Sequence, residues 1–173
     1  MIKKFVILGS IASGKSTLAK KIGKICNIPV VHLDKVLLDK NWNYRPVDEQ
    51  IRCVKEIINQ DSWIADGIYS LTLNLRAEKA DVIVFLDTKP IVCLFRYFVR
   101  YLKNRGKARD DVFFDCKETW KKGIARMFFL YPKKSRQYER IVLENTSQDK
   151  VIHLKNKLQI KRFLIWVEKT NNG

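Results

Sequence analysis

The chain has 173 residues, 46% of them hydrophobic and 30% charged, which suits one domain with a buried core and leaves too little for a second. Thirty-four Lys and Arg against 18 Asp and Glu give a formal net charge of +16, and such an excess of cations calls for an anionic partner: a nucleotide's phosphates, an anionic small molecule or nucleic acid. The first ten residues hold two lysines and an apolar run of only four, and no segment approaches membrane-spanning length, so a soluble cytoplasmic protein with no membrane partner is expected.

Phe5-Val6-Ile7-Leu8 reads as a buried strand, and Leu18, Ile22 and Ile25 mark a helix after it. Between them, Gly9-Ser10-Ile11-Ala12-Ser13-Gly14-Lys15-Ser16-Thr17 completes a G-x-x-x-x-G-K-S/T pattern. In a strand-to-helix context that pattern is a phosphate cradle. The glycines let the backbone curl until its N–H groups converge on a β-phosphate, and the positive end of the following helix faces the same anion. Lys15 would bridge the β- and γ-phosphates, and the Ser16 hydroxyl would serve Mg²⁺. A mere tight turn would need neither a lysine nor a hydroxyl after its second glycine. A nucleoside triphosphate is therefore the expected ligand.

Residues 28–33 read as a second strand closed by Asp34, and Ile51, Val54 and Ile58 recur at helical spacing behind Asp48 and Glu49, acidic residues suited to a helix N-terminus. Ser62-Trp63-Ile64-Ala65 is a third strand ending at Asp66-Gly67, and Asp81 to Leu86 a fourth ending at Asp87. Pro90 opens a long helix through Asn104, with Val92, Phe95, Val99 and Leu102 on one face. Residues 105–111 break that period with glycine and dense charge and read as a loop or mobile lid. Two further helical stretches meet at Tyr131-Pro132. Val151-Ile152-His153-Leu154 is a fifth strand, and a terminal helix carries Leu158, Phe163 and Trp166.

Five short strands alternating with helices predict a parallel sheet covered on both faces, with ligands gathered at the carboxyl ends of the strands. Asp34, Asp66 and Asp87 all fall on that rim, although helix capping or turn formation is open to each. His32 would point away from Asp34 along an alternating strand, as a packed or partly exposed histidine. Cys26, Cys53, Cys93 and Cys116 are widely spaced and form no zinc pattern with His32 or His153, so reduced, packed thiols are expected. From Arg96 to Arg140 there are 14 Lys or Arg against five Asp or Glu, which concentrates the anion-binding charge in the second half. Aromatic residues interleave with those cations, at helical spacing that serves a core or a base-stacking surface.

The phosphate loop, His32-Leu33-Asp34-Lys35, Trp42, Trp63 to Tyr69, Thr72-Leu73-Asn74-Leu75-Arg76, the run Asp81 to Asp87, and Arg96 through Arg109 follow in the order seen in the topology modulation proteins, which the chain resembles over nearly its whole length. These are P-loop proteins similar to adenylate kinase; where they commonly have an asparagine after Asp-Gly, this chain has Ile68. The resemblance implies a three-layer α/β/α P-loop NTPase fold like that of the nucleoside monophosphate kinases, with a five-stranded parallel sheet and a helical lid. It implies a single domain over 1–173, with an acceptor-binding segment at about 36–60 and a lid at about 104–117. By the same resemblance Asp34 orients an acceptor hydroxyl, Asp66 holds waters around Mg²⁺, and Arg76 grips an anionic acceptor or stands as a solvated helix charge. Trp42 and Arg45 would stack on a base and hold a phosphate, or pack as a small cluster under a loop, with Tyr69 beside the acceptor. Arg100, Arg105 and Arg109 would neutralise the transferring phosphoryl group or remain surface charges. The activity expected is phosphoryl transfer from ATP to a small acceptor; a nucleic-acid-associated ATPase is the rival, and no DNA-reading motif supports it.

Overall fold

The computed structural model describes residues 1–39, 43–103 and 131–172. In chain order the elements are β1 (Lys4–Gly9), α1 (Lys15–Cys26), β2 (Val30–His32), α2 (Leu33–Leu37), α3 (Val47–Ile58), β3 (Trp63–Asp66), a 3₁₀ turn (Ser70–Thr72), α4 (Leu73–Lys79), β4 (Val82–Leu86), α5 (Pro90–Lys103), α6 (Tyr131–Asn145), a second 3₁₀ turn (Gln148–Lys150), β5 (Val151–Leu154) and α7 (Lys157–Asn172). The strands form one parallel sheet in the order β2-β3-β1-β4-β5.

The apolar runs explain the layers. β1, β3 and β4 are buried along nearly their whole length, as strands covered on both faces must be. Alternation divides their side chains: Val6, Leu8, Trp63, Ala65, Ile83 and Phe85 face a cluster completed by α2, α3, α4 and Val142 of α6. Phe5, Ile7, Ile64, Val82, Val84 and Leu86 face the opposite cluster, completed by α1 and α7. The chain leaves β1 toward β2 on one side and β4 toward β5 on the other. A topological switch therefore lies where Gly9 is registered with Leu86, and a crevice is expected at the strands' carboxyl ends there.

Three sequence readings change. The second strand is only Val30–His32, because Leu33 and Leu37 turn into the core as the first and last residues of α2. Asp34 accordingly sits in the first turn of a helix. On α5 the inward residues are Cys93 and Tyr97, while Val92, Phe95 and Leu102 are exposed. The period does mark an apolar side, but contact with Ile11 and Ala12 of the phosphate loop turns Cys93 and Tyr97 inward instead. On α7, Phe163 and Val167 are buried, whereas Leu158 and Trp166 are exposed. The 104–117 lid, Cys116 and the first of the two late helical stretches lie outside the described residues. No described helix is long and apolar enough to cross a membrane.

Candidate functional site

The phosphate loop leaves β1 through backbone that only small residues accept. Gly9 has φ 152° and Gly14 φ 106°, with Ala12 also left-handed between them at φ 57°. A Cβ on Gly9 would stand 2.8 Å from Ser13 Oγ and 2.9 Å from the Leu86 carbonyl oxygen. Gly14 caps α1 without any side-chain hydrogen bond, and the first turn of α1 carries no acidic residue, so its N–H groups and positive dipole end are left for an anion. Lys15 Nζ donates to the Ser10 carbonyl at 2.9 Å, folded across the loop. Among the described residues the buried Ser10 and Ser13 hydroxyls have no hydrogen-bond partner, a deficit that a bound phosphate would satisfy.

Two residues outside the motif hold the loop. Thr88 Oγ1 and Arg96 Nη1 both donate to the Ser13 carbonyl, at 3.1 and 2.7 Å. Arg96 also lies against Gly14. Under the loop, burial pushes the Cys93 thiol up, and the charges of Arg96 and Lys15 draw it back. The sequence marked Arg96 only as one cation among many, since its value lies in packing α5 onto the loop.

Asp66 ends β3, 5% exposed, beside β1 through its register with Ile7. Alternation places it with Ile64 on the α1 face of the sheet, the face from which Lys15 and Ser16 rise. His32, its register partner on β2, donates from Nδ1 to Asp66 Oδ1 at 2.9 Å. Asp34 accepts a 2.6 Å hydrogen bond from the Tyr69 hydroxyl. Tyr69 itself is left-handed at φ 35° and meets Tyr44 edge to face, ring centroids 6.0 Å apart. Sequence reasoning set Asp34 and Asp66, with Asp87, on one rim, and the resemblance put Tyr69 beside the acceptor; the pairing of His32, which depends on strand register, was missed.

Arg76 differs from expectation. It is fully buried, and its guanidinium donates to the carbonyls of Thr72, Gly67, Ile68 and Tyr69. Burial pushes it down to about 9, with Tyr69 and Asp66 pulling the other way, so at neutral pH it is charged. The fork is spent on the loop that carries Tyr69, a reach that the spacing from Asp66 did not reveal. Arg45 pairs with Glu49 one helical turn on, and its carbonyl accepts from Gln50. Arg100 lies over the Tyr97 ring, 5.0 Å from its centroid. Trp42, Arg105 and Arg109 lie outside the described residues. Asp87 bonds His153 Nδ1 at 2.7 Å, and His153 Nε2 approaches Glu139 at 3.3 Å, a cluster at the far edge of the sheet.

The described residues contain no group of three or more His, Cys, Asp or Glu able to cage a metal. Mg²⁺ carried by a nucleotide takes one or two protein oxygens and keeps much of its water. Ser16 at the loop and the buried carboxylate of Asp66 are the oxygens present for it.

No family model matches the chain. Among curated proteins it is 32% identical over 88 residues to the uridine kinase of Proteus mirabilis (strain HI4320), covering 51% of this chain and 39% of that protein. It is 30% identical over 101 residues to the uridine kinase of Pasteurella multocida (strain Pm70), covering 58% and 45%. The match therefore spans less than half the length of these relatives. Among solved structures, shikimate kinase from Acinetobacter baumannii in complex with shikimate superposes with a TM-score of 0.63 at 10% identity, covering 98% of this chain and 93% of the other. Deoxyadenosine kinase from M. mycoides with bound dATP gives 0.55 at 13%, covering 98% and 100%. The fold is that of the α/β P-loop kinases.

Proposed function

We propose that the protein is a kinase that moves the γ-phosphoryl group of ATP to a hydroxyl of a small acceptor, a nucleoside before other metabolites. The observation that carries this reading is a complete phosphate loop with orphaned buried hydroxyls, set on the same rim as two carboxylates that His32 and Tyr69 hold by hydrogen bonds. The uridine kinase relatives favour a nucleoside, and Tyr44 and Tyr69 offer a base aromatic surface beside Asp34. Likeness to the topology modulation proteins fits the same activity.

In this reading Lys15 leaves the Ser10 carbonyl for the β- and γ-phosphates, and the loop's N–H groups hold the β-phosphate. Ser16 and, through water, Asp66 would hold Mg²⁺, which would offset phosphate charge that repels a nucleophile. Asp34 orients the acceptor hydroxyl and takes its proton as the new O–P bond forms and the bond to the departing ADP oxygen breaks. Tyr69, held by the Arg76 clamp, fixes one oxygen of Asp34. Arg105 and Arg109, with Arg100, supply the cations that close over the phosphoryl group. The single-domain organisation, with an acceptor segment near 36–60 and a lid near 104–117, belongs to this proposal.

Screening nucleosides, nucleotides and small metabolites for acceptor-dependent ADP formation tests it. Stimulation by one acceptor class in the absence of DNA supports the proposal. ADP formation that responds only to duplex DNA, with binding that survives near-physiological salt, would turn the reading to the nucleic-acid ATPase.

A further inference from the structure

We infer that His32 is a positioning residue for the metal-facing carboxylate: its Nδ1–H locks one oxygen of Asp66 so that the other is presented to the waters of nucleotide-bound Mg²⁺. The inference rests on the kinase reading and assigns a residue that the phosphate-loop motif does not contain.

The two side chains are brought together by the sheet itself. His32 and Asp66 are register partners on neighbouring parallel strands, and each is the last residue of its strand. Both project from the α1 face, as their neighbours Val30 and Ile64 do by packing against the cluster on that side. The 2.9 Å hydrogen bond is shielded, with side-chain exposures of 12% for His32 and 6% for Asp66. A carboxylate has no proton to give, so Nδ1 carries the hydrogen and the ring's orientation is set.

A buried carboxylate can rotate about its last torsion, and a carboxylate serving a metal through water gains nothing from rotating. Nδ1–H removes that freedom at Oδ1. The backbone supports the arrangement from below: the Gly67 N–H donates to the Ile7 carbonyl at 3.2 Å, fixing the strand end next to the start of the phosphate loop. A second hydrogen bond crosses the same gap in the opposite sense, from Tyr69 after β3 to Asp34 after β2. Each of the two carboxylates is thus held from the other's segment, and the His32 half of that brace acts on the metal side.

Mn²⁺ uptake by the ADP-bound protein, read by electron paramagnetic resonance, tests this without turnover. His32→Leu removes the donor, while His32→Asn keeps an N–H near the position of Nδ1. Losing an outer hydrogen bond of this kind typically weakens metal binding by about 10- to 100-fold, so His32→Leu should lose Mn²⁺ affinity in that range and kcat should fall with it. His32→Asn should recover most of both, with metal-free ADP affinity and acceptor KM unchanged in either variant. Equal losses in the Leu and Asn variants, or wild-type Mn²⁺ affinity in His32→Leu, would overturn the positioning role while leaving the kinase reading intact. No Mn²⁺ uptake by the wild-type ADP complex would overturn the metal role of Asp66, and the inference with it.

Discussion

Replacing Arg76 by Met keeps the length and apolar stem of the side chain and deletes the fork. Four carbonyls lose a donor. Those of Ile68 and Tyr69 belong to half-buried residues within reach of water, and that of Thr72, the N-cap of α4, keeps the first intrahelical N–H, whereas the buried Gly67 carbonyl would be left without this donor. A buried orphan costs about 1–3 kcal/mol, and relief from burying a charge offsets part of that. We therefore expect a net loss of about 1–2 kcal/mol. With a urea dependence of about 2 kcal/mol per molar, the equilibrium midpoint followed by far-UV circular dichroism should fall by about 0.5–1 M. Arg76→Lys should recover little, because one ammonium cannot reach carbonyls on several sides of a planar fork. A midpoint within about 0.3 M of wild type, with acceptor KM raised tenfold or more, would refute the clamp and restore Arg76 to the acceptor site.

Gly9→Ala should abolish ADP binding measured by calorimetry, since its Cβ would collide with Ser13 Oγ and the Leu86 carbonyl; undiminished binding would show that the loop can shift to admit it. Asp34→Asn should lower the rate of phosphoryl transfer by about 10²- to 10⁴-fold while ATP affinity is retained, and equal loss of ATP affinity would assign Asp34 to the nucleotide instead. His153→Gln should cost less than about 1 kcal/mol in urea unfolding, because Asp87, His153 and Glu139 are all about a third or more exposed.

What the sequence displayed was whatever depends on neighbours along the chain. The phosphate loop, Pro90 at the start of α5, the acidic first turn of α3 and the bounds of β5 could all be read directly, because glycine, proline and charge act within a turn. Leu33 misled because an apolar residue after a short strand extends the run whether it continues the strand or opens a helix. The seven-residue α4 is too short to show a period. The partners of Asp66, Asp34 and Arg76 were hidden for a different reason: each is decided by strand register or by a loop folding back. His32 and Asp66 are 34 positions apart in sequence and adjacent only in the sheet.

The central claim is transfer of a phosphoryl group to an acceptor hydroxyl, and ³¹P nuclear magnetic resonance of the protein with ATP, Mg²⁺ and a nucleoside, uridine first, reads the product directly. The account predicts a growing phosphomonoester signal matched by ADP, little inorganic phosphate, and loss of both products in Lys15→Ala. Inorganic phosphate as the sole new signal with every nucleoside and metabolite tried, rising when duplex DNA is added, would contradict it.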